Sequence, residues 1–210
     1  MPYRNRVTPL GDLIAVPERG LLTGNRGVLH DEQGAIVRRS QVRRWITCLL
    51  AFGDRHREVM APGRYTHLFF VDEATALAAG HRPCAECRRT DYRRFRDCWA
   101  AAHGLPVAPG ADDLDAVLAA ERAPGGGRGR CSRRPAGSLP DGAFVQWEGA
   151  SWLVSAGLLL RWTPGGYTER RPPPGDALPV LTPPATIAVI GAGYRPGLHP
   201  TAVRVGSPPA

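Results

Sequence analysis

The residues most able to do chemistry are thiols. Cysteines stand at positions 48, 84, 87, 98 and 131. Cys84-Ala85-Glu86-Cys87 sets two of them two residues apart, so both sulfurs can reach one tetrahedral ion. Pro83 precedes the pair and a helix start follows within three residues, where the helix dipole stabilises negative sulfur. A redox dithiol is the rival reading. It belongs at the start of a helix in a strand–helix context, whereas Arg88-Arg89 separate this pair from the expected cap at Thr90. Metal is therefore the better assignment. An odd cysteine count without a secretory leader argues against a disulfide framework. Cys98 neighbours an apolar helical stripe and reads as core; Cys131 falls in a linker and reads as a free thiol.

The elements that must position the pair are legible on both sides of it. Val28-Leu29-His30 and Ala35-Ile36-Val37 flank Asp31-Glu32-Gln33-Gly34, a hairpin signal. Trp45 to Phe52 and Tyr65 to Val71 read as strands, with a turn at Gly53-Asp54. Asp72 caps a short helix over Glu73–Ala79 that Gly80 stops, and the cysteine pair follows at once. A second helix runs from Thr90 to about His103. Its Tyr92, Phe95, Trp99 and Ala102 form one apolar stripe, and Arg93, Arg94 and Arg96 lie off it. Asp113 to Glu121 is a third helix, and residues 123–138 are a Gly/Arg-rich linker. Beyond it come strands at Ala143–Glu148, Ser151–Ser155 and Leu158–Trp162, then a helix from Thr182-Pro183 through Ile190. Trp147, Trp152 and Trp162 fall on those strands and read as core. The expected organisation is a basic metal-binding α+β domain over residues 1–122, the linker, a small β-rich unit over 139–204 and a disordered tail over 205–210.

Charge narrows the partner. The net charge is +8 and every one of the 27 basic residues is arginine. Absence of lysine means that no lysine serves as a Schiff-base nucleophile, a general base or a P-loop cation. Each basic contact is instead a planar fork suited to phosphate. Residues 36–99 hold thirteen arginines against seven acids, so the excess surrounds the cysteine pair. A solvated charged face is the plain alternative; its coincidence with a metal knuckle favours a DNA or RNA phosphate backbone as partner. No run of 18 apolar residues exists and the N-terminus lacks an apolar leader, so a cytoplasmic location without membrane contact is expected.

The string Phe70-Val71-Asp72-Glu73-Ala74-Thr75-Ala76-Leu77-Ala78-Ala79-Gly80-His81-Arg82-Pro83-Cys84-Ala85-Glu86-Cys87-Arg88 resembles the metal-binding domain of the Ada DNA methylphosphotriester repair proteins. The likeness covers residues 70–88 well and 45–100 loosely. It implies a zinc-stabilised, treble-clef-like α+β domain that touches DNA, with Arg82, Arg88 and Arg89 reaching phosphate; Arg93 and Arg94 extend that basic face. His56, 28 residues before Cys84, sits where the family places its second ligand. Cys48 lies eight residues earlier and would arrive through a hairpin turning at Gly53-Asp54. A core role for Cys48 beside Ile46, Leu50 and Phe52, and an exposed turn for His56, are the alternatives. The implied ligand set is Cys48, His56, Cys84 and Cys87 around zinc, with His30 and His81 as substitutes. The family supplies two upstream cysteines, one the methyl acceptor; this chain has only Cys48, so methyl transfer does not carry over.

Function expected from the sequence is therefore zinc-dependent nucleic-acid binding in repair or defence. The alternative is a metal-dependent nuclease on a treble-clef-like scaffold, for which His30, Asn25, Asp31 and His56 offer donors without a recognisable spacing. Gly193-Tyr194-Arg195-Pro196-Gly197-Leu198-His199 reads as a structured loop, and Pro2 as an N-terminal amine with only a weak catalytic claim.

Overall fold

A computed structural model describes residues 2–53, 59–61, 63–122 and 132–206. The chain is mixed α+β. In order it forms β1 (Arg4–Val7), β2 (Leu13–Ala15), β3 (Leu22–Asn25), β4 (Ile46–Cys48), β5 (Leu68–Phe70), α1 (Glu73–Ala78), β6 (Arg82–Pro83), α2 (Arg89–His103) and α3 (Ala111–Arg122). The C-terminal part adds β7 (Arg133–Arg134), β8 (Phe144–Trp147), β9 (Ala150–Ser155), β10 (Leu158–Thr163), β11 (Gly166–Arg171), β12 (Leu178–Pro179), α4 (Pro184–Gly191) and α5 (Pro200–Gly206).

The N-terminal strands build one six-stranded mixed sheet in the order β2-β1-β5-β3-β4-β6. A second, four-stranded sheet is the antiparallel meander β11-β10-β9-β8. Its first two hairpins turn at Glu148-Gly149 and Ala156-Gly157, all four residues with positive φ. That is the backbone two-residue turns need to match strand twist. His30 bridges Ile36, so the hairpin read at Asp31–Gly34 forms, though as a single bridge.

α1 lies at the centre of the molecule. Asp72 caps it by accepting the Thr75 N–H at 2.9 Å, and every residue from Glu73 to Ala78 is buried. A helix enclosed on all sides needs small, mostly apolar residues, and its two polar side chains, Glu73 and Thr75, are hydrogen-bonded. Ala76 and Ala79 pack on Val7, Leu68 and Phe70 of the first sheet and on Leu29 from the loop after β3. Ala74 and Ala78 pack on Phe144, Leu153, Leu160 and Tyr167 of the second. Leu77 joins Tyr92, Phe95, Trp99, Leu114, Leu118, Val189 and Ile190, where the stripe of α2 meets α3 and α4.

The segment expected as a separate unit thus shares two cores with the N-terminal half. Its strands close over α1, and α4 completes the α2 cluster. Two carboxylates at α1's first turn tie the halves together. Asp72 accepts the Tyr167 hydroxyl at 2.7 Å and the His199 N–H at 3.0 Å. Glu73 accepts the Tyr194 hydroxyl at 2.6 Å and the Gly197 N–H at 2.9 Å. The loop read at Gly193–His199 is therefore a clamp. Its far end corrects the expected tail: Val205 and Gly206 belong to α5, which Ala202 docks against the Phe144 cluster.

A candidate metal centre

Cys48 ends β4, and strand register delivers its partners. β4 and β6 pair in parallel, Thr47 opposite Pro83, and the Cys84 N–H donates to the Thr47 carbonyl at 3.0 Å. Cys84 therefore leaves β6 beside Cys48. The chain then turns tightly: the Arg88 N–H donates to the Cys84 carbonyl at 3.2 Å, and the Glu86 N–H points at the Cys84 sulfur at 3.5 Å. Arg88, rather than Thr90, precedes the first residue of α2, because this turn already shapes the helix start.

The three sulfurs of Cys48, Cys84 and Cys87 lie within 4.8 Å of one another, and among the described residues this is the one group able to hold a metal ion. Zinc–sulfur bonds of about 2.3 Å at tetrahedral angles set sulfurs roughly 3.8 Å apart, so the donor set fits a soft divalent cation. Electrostatics agree. A hydrogen bond from Cys48 and backbone N–H groups of Glu86 and Cys87 lower the Cys84 thiol to about 5. Cys48 is pushed up because it keeps its proton to donate to Cys84, with burial adding to the effect. Burial, and the negative charge on Cys84, raise Cys87 as well. Three adjacent thiols hold one negative charge by themselves; only a cation lets all three ionise.

The expected ligand set is thus assembled at Cys48, Cys84 and Cys87, while His56 lies outside the described residues, as does Cys131. Cys48 does not arrive by a hairpin with the Tyr65–Val71 strand. β3 stands between β4 and β5, and parallel pairing with β6 brings the cysteines together. Neither substitute histidine takes part. His81 is fully buried between Trp45 and Phe70 and bonds Arg26 Nε at 3.2 Å. His30 Nδ1 lies 2.6 Å from the Thr66 hydroxyl. Cys98 packs against the α2 core as expected.

A cavity of about 270 Å³ borders the sulfurs, walled by Leu50, Phe52, Tyr65 and Phe69, with Asn25 and His67 as polar lining. Phe69, Thr23 and Cys48 are register partners across β5, β3 and β4, so they form one row on one face. Arg6, opposite Phe69, extends that row and lays its guanidinium 4.7 Å from the ring centroid. His67 is the residue sequence reading missed. Strand alternation sets Tyr65, His67 and Phe69 on one face, and that periodicity was the available signal.

The basic residues divide. Arg82 is 1% exposed and gives both Nε and Nη2 to Asp115, at 2.9 and 2.7 Å. Arg88 is 7% exposed and binds Glu73 and Asp91, both at 2.8 Å. Their expected role at phosphate is corrected: both guanidiniums are engaged inside the fold and neither faces solvent. Arg89, Arg93 and Arg94 are exposed along α2, with Arg94 resting 5.6 Å over the Tyr194 ring. No described helix is long and apolar enough to cross a membrane. Set against models of known families, curated proteins and solved structures, the chain matches none of them.

Proposed function

We propose that the chain is a zinc-containing nucleic-acid-binding protein, with DNA the favoured partner and repair or defence the favoured setting. The observation that carries this reading is the junction of the three-sulfur cluster with a basic helix. α2 begins two residues after Cys87 and exposes Arg89, Arg93 and Arg94. Zinc held by Cys48, Cys84 and Cys87 would fix the treble-clef-like turn that aims this helix, supplying structure to its surroundings. Exposed arginine forks at one helix end are the chemistry a phosphodiester backbone recognises. The Ada likeness of residues 70–88 points the same way, and unpaired thiols at Cys48, Cys84, Cys87 and Cys98 suit a reducing cytoplasm.

A nuclease would need a hard-metal donor set. His30 is bonded to Thr66, and Asp31 accepts the Gln33 and Ala35 N–H groups of its own turn. Asn25 lines the cavity with His67 and Glu86, but among the described residues the only clustered donors are the three soft sulfurs, so the binding reading is preferred. Duplex affinity of the zinc-loaded chain, followed by anisotropy against salt, tests it. Affinity should fall steeply with salt and weaken uniformly across sequences when Arg89, Arg93 and Arg94 become Gln. Absence of binding at low salt would sink it.

A further inference from the structure

A second basic surface lies at the opposite end of β4. Residues 37–44 form an exposed strap carrying Arg38, Arg39, Arg43 and Arg44 with no acid among them. Among the described residues none of these four guanidiniums makes an ion pair. The contrast with Arg82, Arg88 and Arg122 is sharp, since each of those is engaged by a carboxylate or carbonyl.

The strap is nonetheless held firmly. The N–H groups of Gln41 and Val42 donate to the Arg26 carbonyl at 2.8 and 3.3 Å. The Gln41 side chain accepts the Val28 N–H at 2.8 Å. Arg122 Nη2 grips the Arg43 carbonyl at 2.6 Å. Gly27, with φ +95, lets Gln41 lie directly on the backbone, since a Cβ there would sit 2.6 Å from the Gln41 Cβ. Fixed backbone and unpaired charge together present positive potential with no backbone ordering cost on binding.

Beside the strap runs a groove of about 380 Å³ lined by Arg4, Arg26, Arg38 and Arg39 against the single carboxylate of Asp12. Arg26 is fully buried and donates Nη1 to the Gly11 carbonyl at 2.9 Å, so a fixed cation backs the groove. A cleft lined by one sign of charge focuses its field and concentrates the opposite ion. Arg44 is four residues from Cys48, which keeps their α carbons within about 14 Å. The strap therefore leads to the metal centre.

We propose that the 37–44 strap and its groove are a second nucleic-acid site, taking successive phosphates of a phosphodiester backbone separately from the α2 face. The assignment rests on the nucleic-acid reading of the chain. Its test uses the full zinc-loaded chain, a short labelled duplex, and salt between about 50 and 200 mM. Three proteins are compared: wild type, R38Q/R39Q/R43Q/R44Q, and R89Q/R93Q/R94Q. The strap variant should bind roughly tenfold or more weakly, and its log–log salt slope should shrink by about 0.9 for each phosphate the strap no longer neutralises. Its melting temperature should stay unchanged, because among the described residues none of the four side chains makes an ion pair; should it misfold, R38Q/R39Q and R43Q/R44Q are read separately. An unchanged slope in the strap variant, with a reduced one in the α2 variant, would overturn this site and leave the wider reading intact. Wild type that fails to bind duplex would overturn both. Strap-dependent binding to phosphatidylserine vesicles in place of duplex would reassign the strap to a membrane surface.

Discussion

Arg82 and Asp115 meet through two parallel hydrogen bonds, 2.9 and 2.7 Å long, with both side chains buried. Arg82 stands two residues before Cys84 on β6, and Asp115 stands on α3, so the pair fixes the strand that presents the Cys84–Cys87 pair. Removing one partner of a buried ion pair strands the other charge. Asp115→Ala should cost about 3–5 kcal/mol, read by urea unfolding. A loss below about 1 kcal/mol would show that water reaches Arg82 and that the residue is freer than its burial states.

Glu73 gathers Arg88, the Tyr194 hydroxyl and the Gly197 N–H on one carboxylate. It thereby fastens the C-terminal loop to the helix before the knuckle. Burial and the Glu73 charge hold the Tyr194 hydroxyl protonated far above its ordinary range. Tyr194→Phe keeps the ring packed against Phe95 and removes only the donor to a charged acceptor. The expected cost is about 1.5–3 kcal/mol. Hydrogen exchange should rise in the 193–199 loop before it rises in β8–β11; uniform acceleration would contradict the clamp.

The thiol cluster predicts a proton count. At neutral pH, without metal, Cys84 is the thiolate while Cys48 and Cys87 keep their protons. Zinc binding to the reduced, metal-free chain should therefore release about two protons, read by calorimetry in buffers of different ionisation enthalpy. Release of none or of three would refute the assignment of the single charge to Cys84. Cys48→Ser weakens the bond holding that charge, so the Cys84 thiolate absorbance should appear at higher pH than in wild type.

The same shift sets a stability profile. The Cys84 thiol falls from about 8.5 in the unfolded chain to about 5 when folded, so its contribution is complete above the unfolded value. It fades as pH drops from about 8.5 towards 5. The raised Cys48 and Cys87 act oppositely, withdrawing stability above the unfolded value, where only the unfolded chain ionises them. Metal-free protein should be most stable near the ordinary thiol range, checked by thermal melts across pH 5 to 10. A monotonic rise through pH 10 would contradict protonated Cys48 and Cys87.

Local signals were legible in the sequence where one residue does one job. Asp72 as a cap, Gly104 as a left-handed stop and the Tyr92–Phe95–Trp99 stripe all follow from spacing. The Cys84–Cys87 pair is equally local. Register was not legible: nothing near Cys48 announces that β4 pairs with the two-residue β6 instead of with the Tyr65–Val71 strand. Nor does arginine announce its partner. Arg82 and Arg89 look alike in sequence, and only Asp115, 33 residues from Arg82, separates a buried ion pair from a solvent-facing fork. β11 escaped because Thr168 to Arg171 is polar, and α5 because its docking residue, Ala202, carries little hydrophobic signal.

Metal analysis of the purified chain decides whether Cys48, Cys84 and Cys87 hold an ion. Roughly one zinc per chain is expected, lost together with thermal stability when Cys84 or Cys87 becomes Ser or when a strong chelator is added. A well-folded, reduced protein that carries no metal and gains no stability from added zinc would contradict it.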